Sequence, residues 1–163
     1  MKVFICVAAI FAACICQAPA QERAPVLLEL HRYFNTKTGN HFYTIDHSPD
    51  YSLQLASWNY KYEGIAGRIF QSPQNDVVPL HRYFNGKDHF YATNFGELGG
   101  GRGKYIHERI EGYVFQHPRA GAKPLYRYYN ARSGDHFYTT NWAELKGGSG
   151  GYAFEKVEAY IFP

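Results

Sequence analysis

Nine polar and aromatic side chains recur at matched places in the chain: Asn35, His41 and Tyr43, then Asn85, His89 and Tyr91, then Asn130, His136 and Tyr138. Neutral His and Asn with Tyr offer both donors and acceptors to hydroxyl groups, and a Tyr face stacks on the C–H surface of a sugar ring. The set reads as up to three related ligand-binding sites for carbohydrate, requiring neither metal nor cofactor. The same residues also suit a structural task, with Asn ordering a turn and His and Tyr satisfying backbone groups. Both readings stay open on sequence alone.

A second recurrent set is Arg32, Arg82 and Arg127 with Glu63, Glu108 and Glu155. An ion pair between each Arg and the Glu of its own copy is the plain expectation, worth about 0–1 kcal/mol if exposed. Bringing His41, His89 and His136 to one axis would make a three-histidine zinc site, but no His-x-x-x-His or Glu spacing supports it. Gly147-Gly-Ser149-Gly-Gly151 satisfies the letter of Gly-x-Ser-x-Gly. A nucleophile elbow needs a strand before it and a helix after it, which five small loop residues do not supply. With no acid–base dyad evident, the chain reads as non-enzymatic.

These residues sit on a repeated framework. Leu30-His-Arg-Tyr-Phe-Asn35 and His41-Phe-Tyr-Thr44 flank a turn, and the pattern returns as Leu80–Asn85 with His89–Ala92 and as Leu125–Asn130 with His136–Thr139. Dense aromatic and β-branched residues around Gly39, Asn85-Gly86 and Gly134 predict three β-hairpins. A variable segment follows each hairpin. Pro49 opens a predicted helix in the first copy, and Asn94 and Asn141 are suited to cap a single helical turn in the others.

Each copy then closes on an extended stretch, Glu63–Phe70, Glu108–Phe115 or Glu155–Phe162. Strict alternation places Ile65, Gly67 and Ile69 on one face, with Ile110, Gly112 and Val114, and Val157, Ala159 and Ile161, as their counterparts. A small residue between two β-branched ones is expected where strands crowd together. The copies span about residues 26–73, 78–118 and 123–163. A period near 45 residues signals a repeat architecture. Three copies are too few for a typical propeller, so the expected fold is all-β: three internal repeats in a closed pseudo-threefold body, most simply a β-trefoil, whose fourth strand per copy would come from the variable segment.

Residues 1–20 read as a secretory signal, with Lys2, an apolar run to Cys16 and the small-residue cleavage site Ala18-Pro-Ala20. Its removal takes away all three cysteines, Cys6, Cys14 and Cys16, and leaves a single three-repeat domain over residues 21–163 with 16 basic and 14 acidic residues. Near-balanced, dispersed charge argues against nucleic acid as a partner. No later apolar run is long enough to suggest membrane insertion. The expected location is extracellular.

The combined pattern Tyr-Arg-Tyr/Phe-Tyr/Phe-Asn, Thr/Ser-Gly turn, His-Phe-Tyr-Thr resembles a repeat family of unknown function whose motifs occur in sets of three in secreted and cell-wall proteins. The resemblance covers Leu28 to Phe162 and implies an extracellular accessory or binding module, without catalytic residues to carry over. Departures are Tyr126 in place of His31 and His81, and the shortened second turn. The function expected is therefore a secreted, lectin-like module that binds carbohydrate or a glycoconjugate surface. The alternative is an extracellular structural protein of mucus, adhesive or biomineral matrix without a specific small ligand.

Overall fold

The computed structural model describes residues 24–163, so the expected signal segment and its cysteines lie outside the described residues. Three hairpins form where the sequence predicts them. Strands β1 (Leu27–Asn35) and β2 (His41–Thr44), β4 (Val77–Phe84) and β5 (His89–Ala92), and β7 (Lys123–Asn130) and β8 (Asp135–Thr139) pair antiparallel. Each turn is ordered by its asparagine: Asn35 Oδ1 accepts from the amides of Lys37 and Thr38, Asn85 Oδ1 from Lys87 and Asp88, and Asn130 Oδ1 from Arg132 and Ser133. These are Asx turns, which let one side chain satisfy two loop amides.

The closing stretches form β3 (Tyr60–Phe70), β6 (Ile106–Phe115) and β9 (Ala153–Ile161), each returning beside the first strand of its own hairpin. The protein is thus all-β in its main elements, with one α-helix, α1 (Pro49–Ser57), which does begin on Pro49. Phe95–Glu97 forms a single 3-10 turn in which Asn94 Oδ1 accepts from the Gly96 amide. Asn141 makes the matching bond to Ala143, but the chain there forms turns only.

Two expectations need correction. The fourth strand that a β-trefoil reading required is not found among the described residues, because the variable segments are helix or turn. The nine strands run as an open path, β2-β1-β3-β6-β9-β7-β8, with β4 and β5 branching from β6, so the sheet is not closed. Strict alternation also fails in the closing strands. Register shifts opposite Leu30/His31 and Arg32/Tyr33 set Ala66 and Glu63 out as bulges. The same shifts recur at Glu111 and Glu108, and at Glu158 and Glu155. Each bulge advances the chain by one residue, so side chains on either side of it change face. Ile65 and Ile110 consequently point to solvent, while Ile69, Val114 and Ile161 are buried.

The three closing strands meet through few backbone contacts: Phe70 opposite Tyr113, Phe115 opposite Tyr160, and an isolated bridge between Arg68 and Phe162. The small residues do stand where strands crowd. A Cβ on Gly67 would lie 2.5 Å from Ile161 Cδ1, and one on Gly112 would lie 2.6 Å from Ile69 Cδ1. Leu30, Leu80 and Leu125 join these residues in a shared core, and Phe70, Phe115 and Phe162 pack edge to face beside it.

Candidate functional site

Tyr43, Tyr91 and Tyr138 lie in the core and bind one another in a cycle. The Tyr43 hydroxyl donates to the Tyr138 carbonyl (2.7 Å) and accepts from its amide (2.8 Å). Tyr91 does the same with the carbonyl and amide of Tyr43, and Tyr138 with those of Tyr91. The rings meet nearly perpendicular at 5.4–5.5 Å, a geometry favoured by the aromatic quadrupole. Burial holds all three hydroxyls well above the usual phenol range, so they remain protonated donors. With 1% of each tyrosine exposed, no ligand reaches them. The expectation that Tyr43, Tyr91 and Tyr138 line a carbohydrate pocket is corrected on that ground.

Asn35, Asn85 and Asn130 are likewise committed to their turns. The histidines sit at three separate junctions between consecutive hairpins. His41 donates from Nδ1 to Asp135 (2.7 Å), and His136 from Nδ1 to Asp88 (2.6 Å). Each aspartate also takes a tyrosine hydroxyl, Tyr152 on Asp135 and Tyr105 on Asp88. Burial and these carboxylates push both hydroxyls above the phenol range. His89 differs. The residue matching those aspartates is Asn40, and His89 Nδ1 and Asn40 Oδ1 are both buried without a hydrogen-bond partner. Burial, reinforced by the nearby Arg82, lowers the His89 pKa to about 3.

The recurrent arginines form the expected ion pairs and more. Arg32 Nε meets Glu63 at 3.0 Å, Arg82 Nε meets Glu108 at 2.8 Å and Arg127 Nε meets Glu155 at 2.8 Å. Glu111 and Glu158, turned inward by the other bulge, add bonds of 2.9 and 2.7 Å to Arg82 and Arg127. Each guanidinium also lies over a phenylalanine of the neighbouring hairpin: Arg32 over Phe137, Arg82 over Phe42 and Arg127 over Phe90. Two of the three are then clamped by a further glutamate. Glu144 grips Arg32 through both oxygens (3.2 Å each), and Glu97 grips Arg127 at 3.2 and 3.3 Å. A carboxylate matching the guanidinium fork is strong and directional. At Arg82 the neighbouring segment is α1, and a cavity of about 310 Å³ opens there, lined by Tyr51, Trp58, Tyr60, Arg82, Phe84 and His89 among others.

A family model described as a domain of unknown function, DUF5648, matches residues 29–162, nearly the whole of the described chain. The chain belongs to the DUF5648 family. Comparison with curated proteins and with solved structures returns no match.

This DUF5648 chain also carries aromatic trios, one per hairpin, each running from a buried or half-buried ring (His31, His81 or Tyr126) to one or two exposed rings. The trios are His31, His47 and Tyr62; His81, Phe95 and His107; and Tyr126, Trp142 and Phe154. In the third, ring centroids lie 4.9–6.3 Å apart, and Trp142 and Phe154 are over a third exposed. Sequence reasoning missed these trios because their members come from three different strands and loops. The one signal was the change from His31 and His81 to Tyr126. It also missed Glu97 and Glu144, although the shared Asn-Phe-Gly-Glu and Asn-Trp-Ala-Glu segments carried them in two copies only. No helix among the described residues is long and apolar enough to cross a membrane.

Proposed function

We propose that this protein is a secreted, non-enzymatic, lectin-like module whose three repeats form a pseudo-threefold body and present up to three related carbohydrate sites on its outer surface. The observation carrying this reading is the Tyr126–Trp142–Phe154 cluster, in which Trp142 and Phe154 are exposed, with Tyr62 and Phe95 exposed in the trios of the other two repeats. An aromatic face left in water is available to the apolar face of a sugar ring, and stacking of this kind needs no metal. The resemblance to repeats of secreted and cell-wall proteins, and the signal-like residues 1–20, support an extracellular setting. Weak sites spaced on one body gain apparent affinity on a glycan-bearing surface through effective concentration.

The test is a glycan array probed with the wild-type protein and with Trp142→Ala. The expected result is retention of a set of neutral glycans, lost or sharply reduced in the variant at unchanged melting temperature. Absence of binding across the array would overturn the reading and favour a matrix role.

A further inference from the structure

The three junctions offer an internal comparison of what an arginine of this kind requires. At the first, Arg32 faces Glu63 and Glu144, and His41 faces Asp135. At the third, Arg127 and Lys156 face Glu97, Glu155 and Glu158, and His136 faces Asp88. Counting arginine, lysine and carboxylate groups alone, each of these holds two more acidic than basic groups. At the second, Arg82 and Arg109 face only Glu108 and Glu111, and the aspartate position holds Asn40. This junction has as many basic groups as carboxylates: it lacks the glutamate that clamps Arg32 and Arg127 and the aspartate that meets His41 and His136. Arg82, left without the clamping glutamate, and His89, left without the aspartate, both line the cavity.

The geometry of the clamped junctions states what the open one lacks. Glu144 and Glu97 each bond to both terminal nitrogens of their arginine. Arg82 has Nε on Glu108 and Nη1 on Glu111, and its Nη2 makes no hydrogen bond among the described residues. The guanidinium is held rigid by two glutamates and the Phe42 ring, with its side chain 12% exposed, and it is presented at the cavity wall. A preorganised, weakly hydrated fork of this kind selects carboxylate over neutral groups. The other walls include Glu108, whose charge Arg82 Nε meets, and His89, while Tyr51, Trp58, Tyr60 and Phe84 offer ring faces and hydroxyls.

We propose that the Arg82 cavity binds the carboxylate of a small ring-bearing acid, which takes the place that Glu144 and Glu97 fill at the other two junctions. The acid group docks on Nη2 and Nη1 of Arg82, and the ring lies against Trp58 and Tyr51. A sugar acid and an aromatic acid share this chemistry. The site does not depend on the outer aromatic trios, so it stands or falls apart from their binding of neutral sugars.

Calorimetric titration of the full mature chain with glucuronate, benzoate and, as the neutral control, glucose tests the proposal. The expected result is saturable binding of one equivalent of at least one of the two carboxylates at millimolar or lower concentration, with none of glucose at this site. Glucuronate alone would identify a sugar acid, benzoate alone an aromatic acid, and both a reader of the acid group. Each of these supports the proposal. Arg82→Lys should weaken binding at least tenfold while keeping the charge that Glu111 needs. Tyr51→Glu, at a half-buried position of the cavity wall, should abolish binding by supplying an internal carboxylate, with folding checked by circular dichroism. Glu144→Ala should leave the first site intact and add a second around Arg32. Failure of both acids to bind, or binding that survives Tyr51→Glu, would overturn it.

Discussion

The tyrosine cycle and the arginine junctions are built from the same three hairpins, yet they treat repetition in opposite ways. In the interior, Tyr43, Tyr91 and Tyr138 make the same pair of hydrogen bonds to the next tyrosine's backbone, and the closest ring distances differ by only about 0.1 Å. At the junctions, Arg32 and Arg127 are clamped by Glu144 and Glu97, whereas Arg82 opens on a cavity. A buried cycle tolerates no odd member, because each hydroxyl satisfies two backbone groups that have no access to water. At the second junction the missing aspartate leaves His89 Nδ1 and Asn40 Oδ1 buried without partners, and the missing glutamate leaves Arg82 facing a cavity. Departure from repetition therefore marks the cavity at which we propose that a ligand binds.

The interior half of that contrast should break most readily. Tyr91→Phe removes one oxygen but strands the Tyr43 amide and carbonyl, and each orphaned buried group costs about 1–3 kcal/mol. Urea unfolding should show a loss of about 2–5 kcal/mol, with Tyr43→Phe and Tyr138→Phe close to it. A near-neutral Tyr91→Phe would show that the cycle is packing alone.

The junction half is sharpened by pH. His89 is buried with no hydrogen-bond partner for Nδ1, where His41 and His136 each meet an aspartate, and its folded pKa is about 3 against an ordinary 6.5. The folded state therefore refuses a proton that the unfolded chain accepts between those values. Its contribution to stability is full above about pH 6.5 and is lost as the pH falls towards 3, with a slope approaching 1.4 kcal/mol per pH unit. His31 and His81, also lowered by burial, act in the same direction. Unfolding measured at pH 6, 5 and 4 should show this slope, and His89→Gln should flatten it by about one proton. An unchanged slope in that variant would place the titration elsewhere.

Much of this arrangement was legible in residue order. The hairpins follow from aromatic runs around Gly39, Asn85-Gly86 and Gly134, the helix start from Pro49, and the close strand contacts from Gly67 and Gly112. The pairing of Arg32, Arg82 and Arg127 with Glu63, Glu108 and Glu155 was also visible as recurrence. What was hidden depends on register. A bulge has no signature of its own in Glu108-Arg-Ile-Glu111, so alternation wrongly buried Ile110 and gave no hint that Glu111 turns in to Arg82. The junctions were hidden for a different reason. Glu144 meets Arg32 across 112 positions of chain, and only the packing of one hairpin against another reveals that α1 leaves Arg82 without such a partner.

The protein contains two tryptophans, and they divide between the two kinds of surface: Trp58 lines the Arg82 cavity and Trp142 sits in the outer trio. Their indole N–H signals in a two-dimensional NMR spectrum report each surface separately. The central claim is that ligands bind where the repeats diverge and not at the shared interior. Titration with an acidic sugar should shift the Trp58 indole, titration with a neutral glycan retained on the array should shift the Trp142 indole, and the backbone amides of Tyr43, Tyr91 and Tyr138 should stay fixed in both. Shifts centred on those three amides, with both indoles unmoved, would contradict the claim.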